Sequence, residues 1–401
     1  MSPKRRHLEF ALAGLFAVAI VLVGGVAIVL HVADSDPVHG DPAAVPSTVA
    51  FAPAERYSGA VDQARRLARA LLVKEDVPAL SVAAAVDGEI VWAEAFGVAD
   101  VERRTPVTPR TRFRTGSVSK TLTAAAVALL HERGRIDLDA PIQTYVSAYP
   151  RKQWTITPRH LLGDVAGVDG APRGHCTSLD QALQAYAGEP IGFEPGTEYR
   201  FSTYGWILLS AAVEAAAKEP FATFMSRELF EPLGMDRTVL EGEDTDPDIV
   251  SLFPGIRGDI GLEDAPLADY ACFFGAGRFL STPSDLVRLG SAMMVPLKPD
   301  TTTRRLLKPE TITLFQTPLR LKSGASTGFA LGWKVDSVPL AGARLRVIRH
   351  RGNFRGGASS LSVFPDRGLV VAVTASAWRM VNVDAYALQV AETFTRGTQM
   401  P

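Results

Sequence analysis

Cysteine is nearly absent from this chain: Cys176 and Cys272 are the only two among 401 residues. Two thiols are too few for a disulfide framework or a thiolate zinc site, although one bridge between them remains open. The seven histidines are scattered, with no pair at helical metal-ligand spacing and no HExxH, which argues against a metalloenzyme. Charge of one sign is lacking too. Forty-two basic against 43 acidic side chains leave a net charge of −1, so no broad positive field draws nucleic acid to the surface. No internal repeat appears. What is present is ordinary globular composition, 47% hydrophobic, enough to bury a sizeable core. The length allows two or three domains or one large α/β domain.

One long apolar run stands out. Phe10 to Leu30 are uncharged and mostly apolar. As a helix they would span roughly 31 Å, close to the hydrocarbon thickness of a bilayer. Lys4, Arg5 and Arg6 precede the run; Asp34, Asp36 and Asp41 follow it. The positive-inside rule keeps the tail cytoplasmic and sends the rest across the membrane. The alternative is a cleaved signal peptide, but such a segment has a shorter apolar region and a small-x-small end; here the bulky His31 precedes Val32-Ala33. A buried core helix would not be followed at once by an acidic, proline-rich segment. No lipobox cysteine follows. Residues 1–33 are therefore expected to be tail and anchor. Residues 34–54, with Pro37, Pro42, Pro46 and Pro53, form a semi-extended spacer reaching up to about 60 Å.

The body, 55–400, opens with an amphipathic helix pattern, Ala60, Val61, Ala64, Leu67, Ala68, Leu71 and Leu72. Two β-like runs, Ala79–Val86 and Glu89–Val98, flank Asp87-Gly88, a strong hairpin signal. A helix pattern starts near Ser117 and stops at Gly134. Helices are expected over Gln181–Ala187, Gly205–Lys218, Phe221–Leu229 and Ser284–Met294. Strands are expected around Phe329–Val335, Leu345–His350, Ala358–Phe364 and Leu369–Thr374, and a last helix over Val383–Phe394. The N-terminal hairpin and C-terminal strands would share one antiparallel sheet: an α/β lobe of 55–116 and 275–400, with an inserted, mainly helical lobe of 117–274.

Ser117-Val118-Ser119-Lys120 is the single S-x-x-K in the chain. Serine and lysine three apart share one face of a helical turn, and the helix N-terminus adds partial positive charge beside the nucleophile. A lysine packed there has its ammonium disfavoured by desolvation, so its neutral amine can accept the serine proton. The bland alternative makes Ser117 an N-cap and Lys120 a solvated first-turn residue. Gly324-Ala325-Ser326-Thr327-Gly328 also matches G-x-S-x-G, but that nucleophile elbow needs a strand before it and a helix after; a polar basic segment precedes and a strand-like run follows, so it reads as a loop. Trp206, Trp333, Phe273 and Phe274 read as core or cleft wall.

The stretches FRTGSVSKTLTA, PGTEYRFSTYGWILLS, GAGRFLSTPSDL, FALGWKV and HRGNFRGGASS, in that order, resemble the serine beta-lactamase and penicillin-binding-protein-like family, nearest the class C-like esterases, D-aminopeptidases and mitochondrial beta-lactamase-like serine proteins, over roughly residues 55 to 396. The resemblance implies a beta-lactamase/transpeptidase-like α/β fold, an antiparallel sheet flanked by helices with an inserted helical lobe, and a cleft between. It implies Ser117 as the acylated nucleophile and Lys120 as its general-base partner. His350-Arg351-Gly352 matches the family's Lys-Thr-Gly or His-Thr-Gly. His350 would face the cleft to assist proton transfer or bind a carboxylate, Gly352 would let the substrate backbone lie close, and the amides of Ser117 and Asn353 would form the oxyanion hole. On the residues alone, His350 also suits an ordinary strand end.

Two departures from the family pattern bear on activity. Where relatives have Tyr-x-Asn, this chain has Phe201-Ser202-Thr203. Phenylalanine carries no hydroxyl to relay a proton to the leaving group or activate water; Thr203 is a partial substitute for the asparagine, and Tyr199 is a possible rescue if its loop is extended. At Leu161-Leu162-Gly163-Asp164-Val165-Ala166-Gly167 relatives commonly have His-Thr-Ser-Gly after the leucines, so the polar lining of that loop is changed. The expected function is a membrane-anchored periplasmic serine hydrolase working by acyl-enzyme on ester, amide or peptide carbonyls. The alternative is a catalytically impaired binding or scaffolding protein. A small-molecule or peptide substrate and a membrane are the expected partners, with no nucleic acid and no metal or organic cofactor. Arg351 and Arg355 either form an anionic-substrate pocket or solvate a strand end.

Overall fold

The computed structural model describes residues 37–170, 176–242, 271–295, 306–354, 356–376 and 381–397. The apolar run 10–30 lies outside them, as does Arg355. Among the described residues no helix is long and apolar enough to cross a membrane.

The elements follow in the order β1 (Ser47–Phe51), α1 (Glu55–Lys74), β2 (Ala79–Val86), β3 (Glu89–Asp100), β4 (Thr105–Pro106), β5 (Phe113–Arg114), α2 (Ser119–Glu132), α3 (Pro158–Leu162), α4 (Leu179–Gln184), α5 (Tyr204–Ala217), α6 (Phe221–Met225), β6 (Val239–Leu240), β7 (Phe279–Ser281), α7 (Pro283–Ala292), α8 (Pro309–Phe315), β8 (Lys334–Leu340), β9 (Ala343–Phe354), β10 (Gly357–Phe364), β11 (Leu369–Ser376) and α9 (Val383–Gly397). One antiparallel sheet runs β1-β3-β2-β11-β10-β9-β8, with β4 added to β3, and a small second sheet runs β5-β7-β6. The hairpin of β2 and β3 turns at Asp87 and Gly88, both with positive φ (50° and 88°), the backbone that a two-residue hairpin loop requires.

Both faces of the sheet are covered, which explains its unbroken apolar strands. Alternate residues point to opposite layers. Leu80, Val82 and Ala84 pack with Ala64, Leu72 and Tyr386 under α1 and α9, whereas Ala83 and Ala85 join Leu122, Leu286 and Leu289 on the side of α2 and α7. In α1 the buried residues Tyr57, Ala60, Val61, Ala64, Ala68 and Leu72 fall at three- and four-residue steps. Tyr57 meets Phe394 of α9 ring to ring at 5.7 Å. The helical lobe is built around α5, which is buried on nearly every side and packs on α2. A disulfide joins Cys176 to Cys272, with 4.8 Å between their Cα atoms.

Two boundaries differ from the sequence expectation. Part of the expected spacer is strand: β1 pairs with β3 from Ser47↔Phe96 onward. Its side chains are largely exposed, so it leaves no buried alternation to read, and backbone pairing alone makes it a strand. The run expected over Phe329–Val335 reaches the sheet only at Lys334, because Gly328 and Gly332 take positive φ (71° and 87°) and break the extended backbone before it. Gly324–Gly328 is a loop, pinned by an isolated Arg320↔Ser326 bridge.

Candidate active site

The turn that carries Ser117 hangs from three strands. Phe113 and Arg114 pair with Leu280 and Ser281 of β7. Thr115 then donates its amide and its hydroxyl to the Phe279 carbonyl, each at 2.9 Å, while its own carbonyl takes the Ser359 hydroxyl of β10 at 2.6 Å. Gly116, at φ +50°, bends the chain into a short 3-10 turn over Gly116–Val118, and α2 begins at Ser119. A three-residue offset across this turn brings the Lys120 ammonium to 3.2 Å from the Ser117 hydroxyl oxygen, within reach for proton transfer.

Lys120 is buried. Its second bond goes to the Ala276 carbonyl at 3.1 Å, and the Phe201 ring lies over it at 4.5 Å. Burial pushes the Lys120 pKa well below the ordinary lysine range, with the Asp164 charge opposing that shift. Asp164 is buried too and sits in the left-handed region at φ 53°. Its carboxylate accepts the Trp206 indole N–H at 3.0 Å and the Ser202 amide. Burial raises its pKa far above the usual carboxylate range, against the pull of Lys120 and these two donors.

His350, on β9, closes the cleft from the sheet side. Its Nδ1 lies 2.9 Å from the Arg351 carbonyl. A carbonyl only accepts, so Nδ1 carries the proton and Nε2 is left as the acceptor. Burial, aided by the Lys120 charge, lowers its pKa to about 3, so the ring is neutral at physiological pH. Gly352 fits against the serine turn, where a Cβ would stand 2.9 Å from the Ser117 nitrogen. The Asn353 amide is brought near Gly116. The reason for the glycine is thus visible on the protein's own side: it lets β9 approach the nucleophile.

A cavity of about 540 Å³ opens between the lobes, lined by Ser117, Asp164, Tyr199, Phe201, His350 and Asn353, with Arg351 and Asp384 at one end. A smaller one of about 160 Å³ shares Arg351, Asn353 and Asp384. Of the residues singled out from sequence, Ser117, His350 and Asn353 meet on this wall, with Lys120 bonded to Ser117. Tyr199 reaches the wall with its ring stacked on Phe329 at 4.5 Å. The nearby Tyr204 hydroxyl is spent elsewhere, on the Leu183 carbonyl. Thr203 is not among the lining residues, and its carbonyl receives the Trp206 and Ile207 amides at the start of α5. Arg351 lies at the rim. Sequence reasoning did not single out Asp164 or Asp384 as site residues; the altered loop at Gly163-Asp164 was the available signal for the former.

An S-x-x-K serine at the mouth of a helix, a buried lysine bonded to it and a glycine-backed strand closing the cleft are the site architecture of the beta-lactamase/transpeptidase fold. The comparisons agree. Residues 64–393 match the beta-lactamase family, and the chain belongs to that family, whose members are serine hydrolases. It is 26% identical to the mitochondrial serine beta-lactamase-like protein LACTB of Mus musculus, covering 88% of this chain and 83% of that one. It is 25% identical to penicillin-binding protein 4* of Bacillus subtilis, over 69% of this chain and 63% of that one. Among solved structures, a class C beta-lactamase superposes with a TM-score of 0.69 at 19% identity, over 83% of this chain and 96% of the other.

Proposed function

We propose that this chain is a membrane-anchored hydrolase with its folded body in the periplasm, cleaving ester, amide or peptide carbonyls through an acyl-enzyme on Ser117. The observation that carries the reading is the 3.2 Å contact between the Lys120 nitrogen and the Ser117 oxygen in a setting that disfavours the ammonium. The neutral amine takes the hydroxyl proton as Oγ bonds the carbonyl carbon. The carbonyl electron pair moves to oxygen, where the Ser117 and Asn353 amides receive it. Collapse then breaks the bond to the leaving group, which takes a proton from an acid of the site as it departs. Membership of the beta-lactamase family makes beta-lactams, small esters and D-amino peptides the substrate classes to screen.

The location rests on the apolar run 10–30 with its basic and acidic flanks and on the disulfide, which suits an oxidising compartment. Phe201 favours a second reading, a protein that binds carbonyl ligands and turns them over slowly, because its ring puts no hydroxyl beside Lys120. Treatment of the detergent-solubilised full chain with a fluorophosphonate, read by intact mass beside Ser117→Ala, separates the two. A Ser117-dependent adduct establishes the activated nucleophile. A folded chain that takes no adduct leaves the binding-protein reading.

A further inference from the structure

The acylation chemistry uses Ser117 and Lys120 and gives no task to Asp164, a buried carboxyl on the cavity wall. Its carboxyl lines a cavity large enough to hold water. The group is also held in place. Its backbone is left-handed, its carbonyl takes the Arg200 amide at 2.8 Å, and its side chain is aimed by the Trp206 indole at 3.0 Å. Lys120 bonds Ser117 and Ala276, and it interacts with the Asp164 carboxylate through charge without a direct ion pair. Phe201, which covers Lys120, offers no polar atom. We infer that Asp164 is the second proton-transfer group of this site, protonating the leaving group and then taking a proton from the deacylating water.

The inference rests on the acyl-enzyme reading and completes its proton balance. In the reactive arrangement of the pair Lys120 is neutral and Asp164 protonated. Lys120 takes the serine proton during attack, and the departing group takes the Asp164 proton as its bond to the acyl carbon breaks. That leaves an ammonium and a carboxylate. Water then bonds the acyl carbon while Asp164 accepts its proton, and the ester bond to Ser117 breaks as Oγ recovers a proton from Lys120. The pair is back where it began. The opposed shifts of the two groups, each moved by burial toward its neutral form, are what such an exchange needs, since both proton arrangements are then populated.

The groups that face Asp164 are Lys120 from α2 and the Tyr199 phenol. His350 of β9 also senses the Lys120 charge, and Lys334, Arg349, Arg351 and Asp384 line the same cavity. The test uses the full chain with p-nitrophenyl acetate, following acylation and acyl-enzyme decay separately by the phenol burst and intact mass across pH 5 to 9. In Asp164→Asn the amide oxygen still accepts from Trp206, yet decay slows by about 10-fold or more. Loss of the negative charge lowers the Lys120 pKa, so the acylation midpoint moves to lower pH. Trp206→Phe removes a donor to the carboxylate, raises the Asp164 pKa, and moves the decay midpoint to higher pH. A merely structural or electrostatic role moves the acylation midpoint at most and leaves the decay rate and decay midpoint where they were. A decay rate and decay midpoint in Asp164→Asn unchanged within twofold overturn the inference, as does a flat decay profile in the unsubstituted chain should that variant not fold. Absence of any Ser117 adduct in the unsubstituted chain overturns the hydrolase reading itself, and Asp164's role with it.

Discussion

Gly352 of the sheet and Ser117 of the serine turn are in contact across the junction of the two lobes: a Cβ on Gly352 would lie 2.9 Å from the Ser117 nitrogen and 2.1 Å from the Thr115 carbonyl oxygen. Both neighbours are backbone and cannot swing aside. The Thr115 carbonyl is further tied to Ser359, so the strain would fall on the spacing between β9 and the turn. That spacing sets the distance between the Ser117 and Asn353 amides, the two donors for a developing oxyanion.

Gly352→Ala is therefore expected to cut Ser117 acylation by about 100-fold or more, the usual cost of spoiling one oxyanion donor, while the chain remains folded. Fluorophosphonate labelling rates beside circular dichroism check this. Labelling within threefold of the parent rate would mean that the oxyanion site does not depend on this contact.

Phe201 is 52% exposed, with one ring face over the Lys120 ammonium. A side chain this exposed tolerates one more oxygen, so Phe201→Tyr should leave stability within about 0.5 kcal/mol, as surface changes generally do. The new hydroxyl would add a second proton path beside Lys120, and acyl-enzyme decay is expected to quicken by about 10-fold. Decay measured by intact mass after a pulse of p-nitrophenyl acetate decides it; an unchanged rate would show that the missing hydroxyl is not what limits turnover.

The parts of this site that were legible in sequence are those with a local rule behind them. Ser117 and Lys120 are three residues apart and must share a helical turn; Asp87-Gly88 carries the positive φ pair of a tight hairpin; the apolar steps of α1 follow the helical period. Asp164 was legible only as a departure from pattern, because a single loop carboxylate has no period. Its place comes from contacts far along the chain, the Arg200 amide and the Trp206 indole. β1 was missed for a related reason: it is an edge strand whose partner, β3, lies more than forty residues on, and its exposed side chains record none of that pairing. The Cys176–Cys272 bridge could be allowed by counting and shown only by the fold.

That bridge closes a long stretch of chain, with a sequence separation of 96. In the chain-entropy description such a loop is worth about 4.7 kcal/mol, and measured bridges usually contribute about 2–4 kcal/mol. Cys272 also leads into the turn Phe274–Ala276, whose last carbonyl holds Lys120. Replacing both cysteines by serine is expected to lower unfolding free energy by about 2–4 kcal/mol and to slow acylation by loosening that carbonyl. Urea unfolding with and without reductant, alongside labelling rates, tests both parts. Equal stability in the two conditions would show that the bridge carries none of the fold's free energy.

Asp285, in the first turn of α7, is buried and accepts the Arg237 amide and the Thr238 hydroxyl, each at 2.9 Å, and the Arg288 guanidinium at 3.1 Å. Burial outweighs these donors and pushes its carboxyl up to about 6. A carboxyl raised in the folded state holds a proton through the window from about pH 4 to 6, where the unfolded chain has already released it. The folded state then binds more protons than the unfolded one, so this group's contribution to stability is greatest below about pH 4 and falls as pH rises to 6. The change amounts to about 3 kcal/mol at 1.36 kcal/mol per pKa unit. Asp285→Asn has no such titration. The stability of the parent chain relative to this variant, from urea unfolding at pH 4 and pH 6.5, is expected to decline by that order across the interval. A difference that stays constant, or grows with pH, would mean that Asp285 is ionised throughout and that its three donors outweigh its burial.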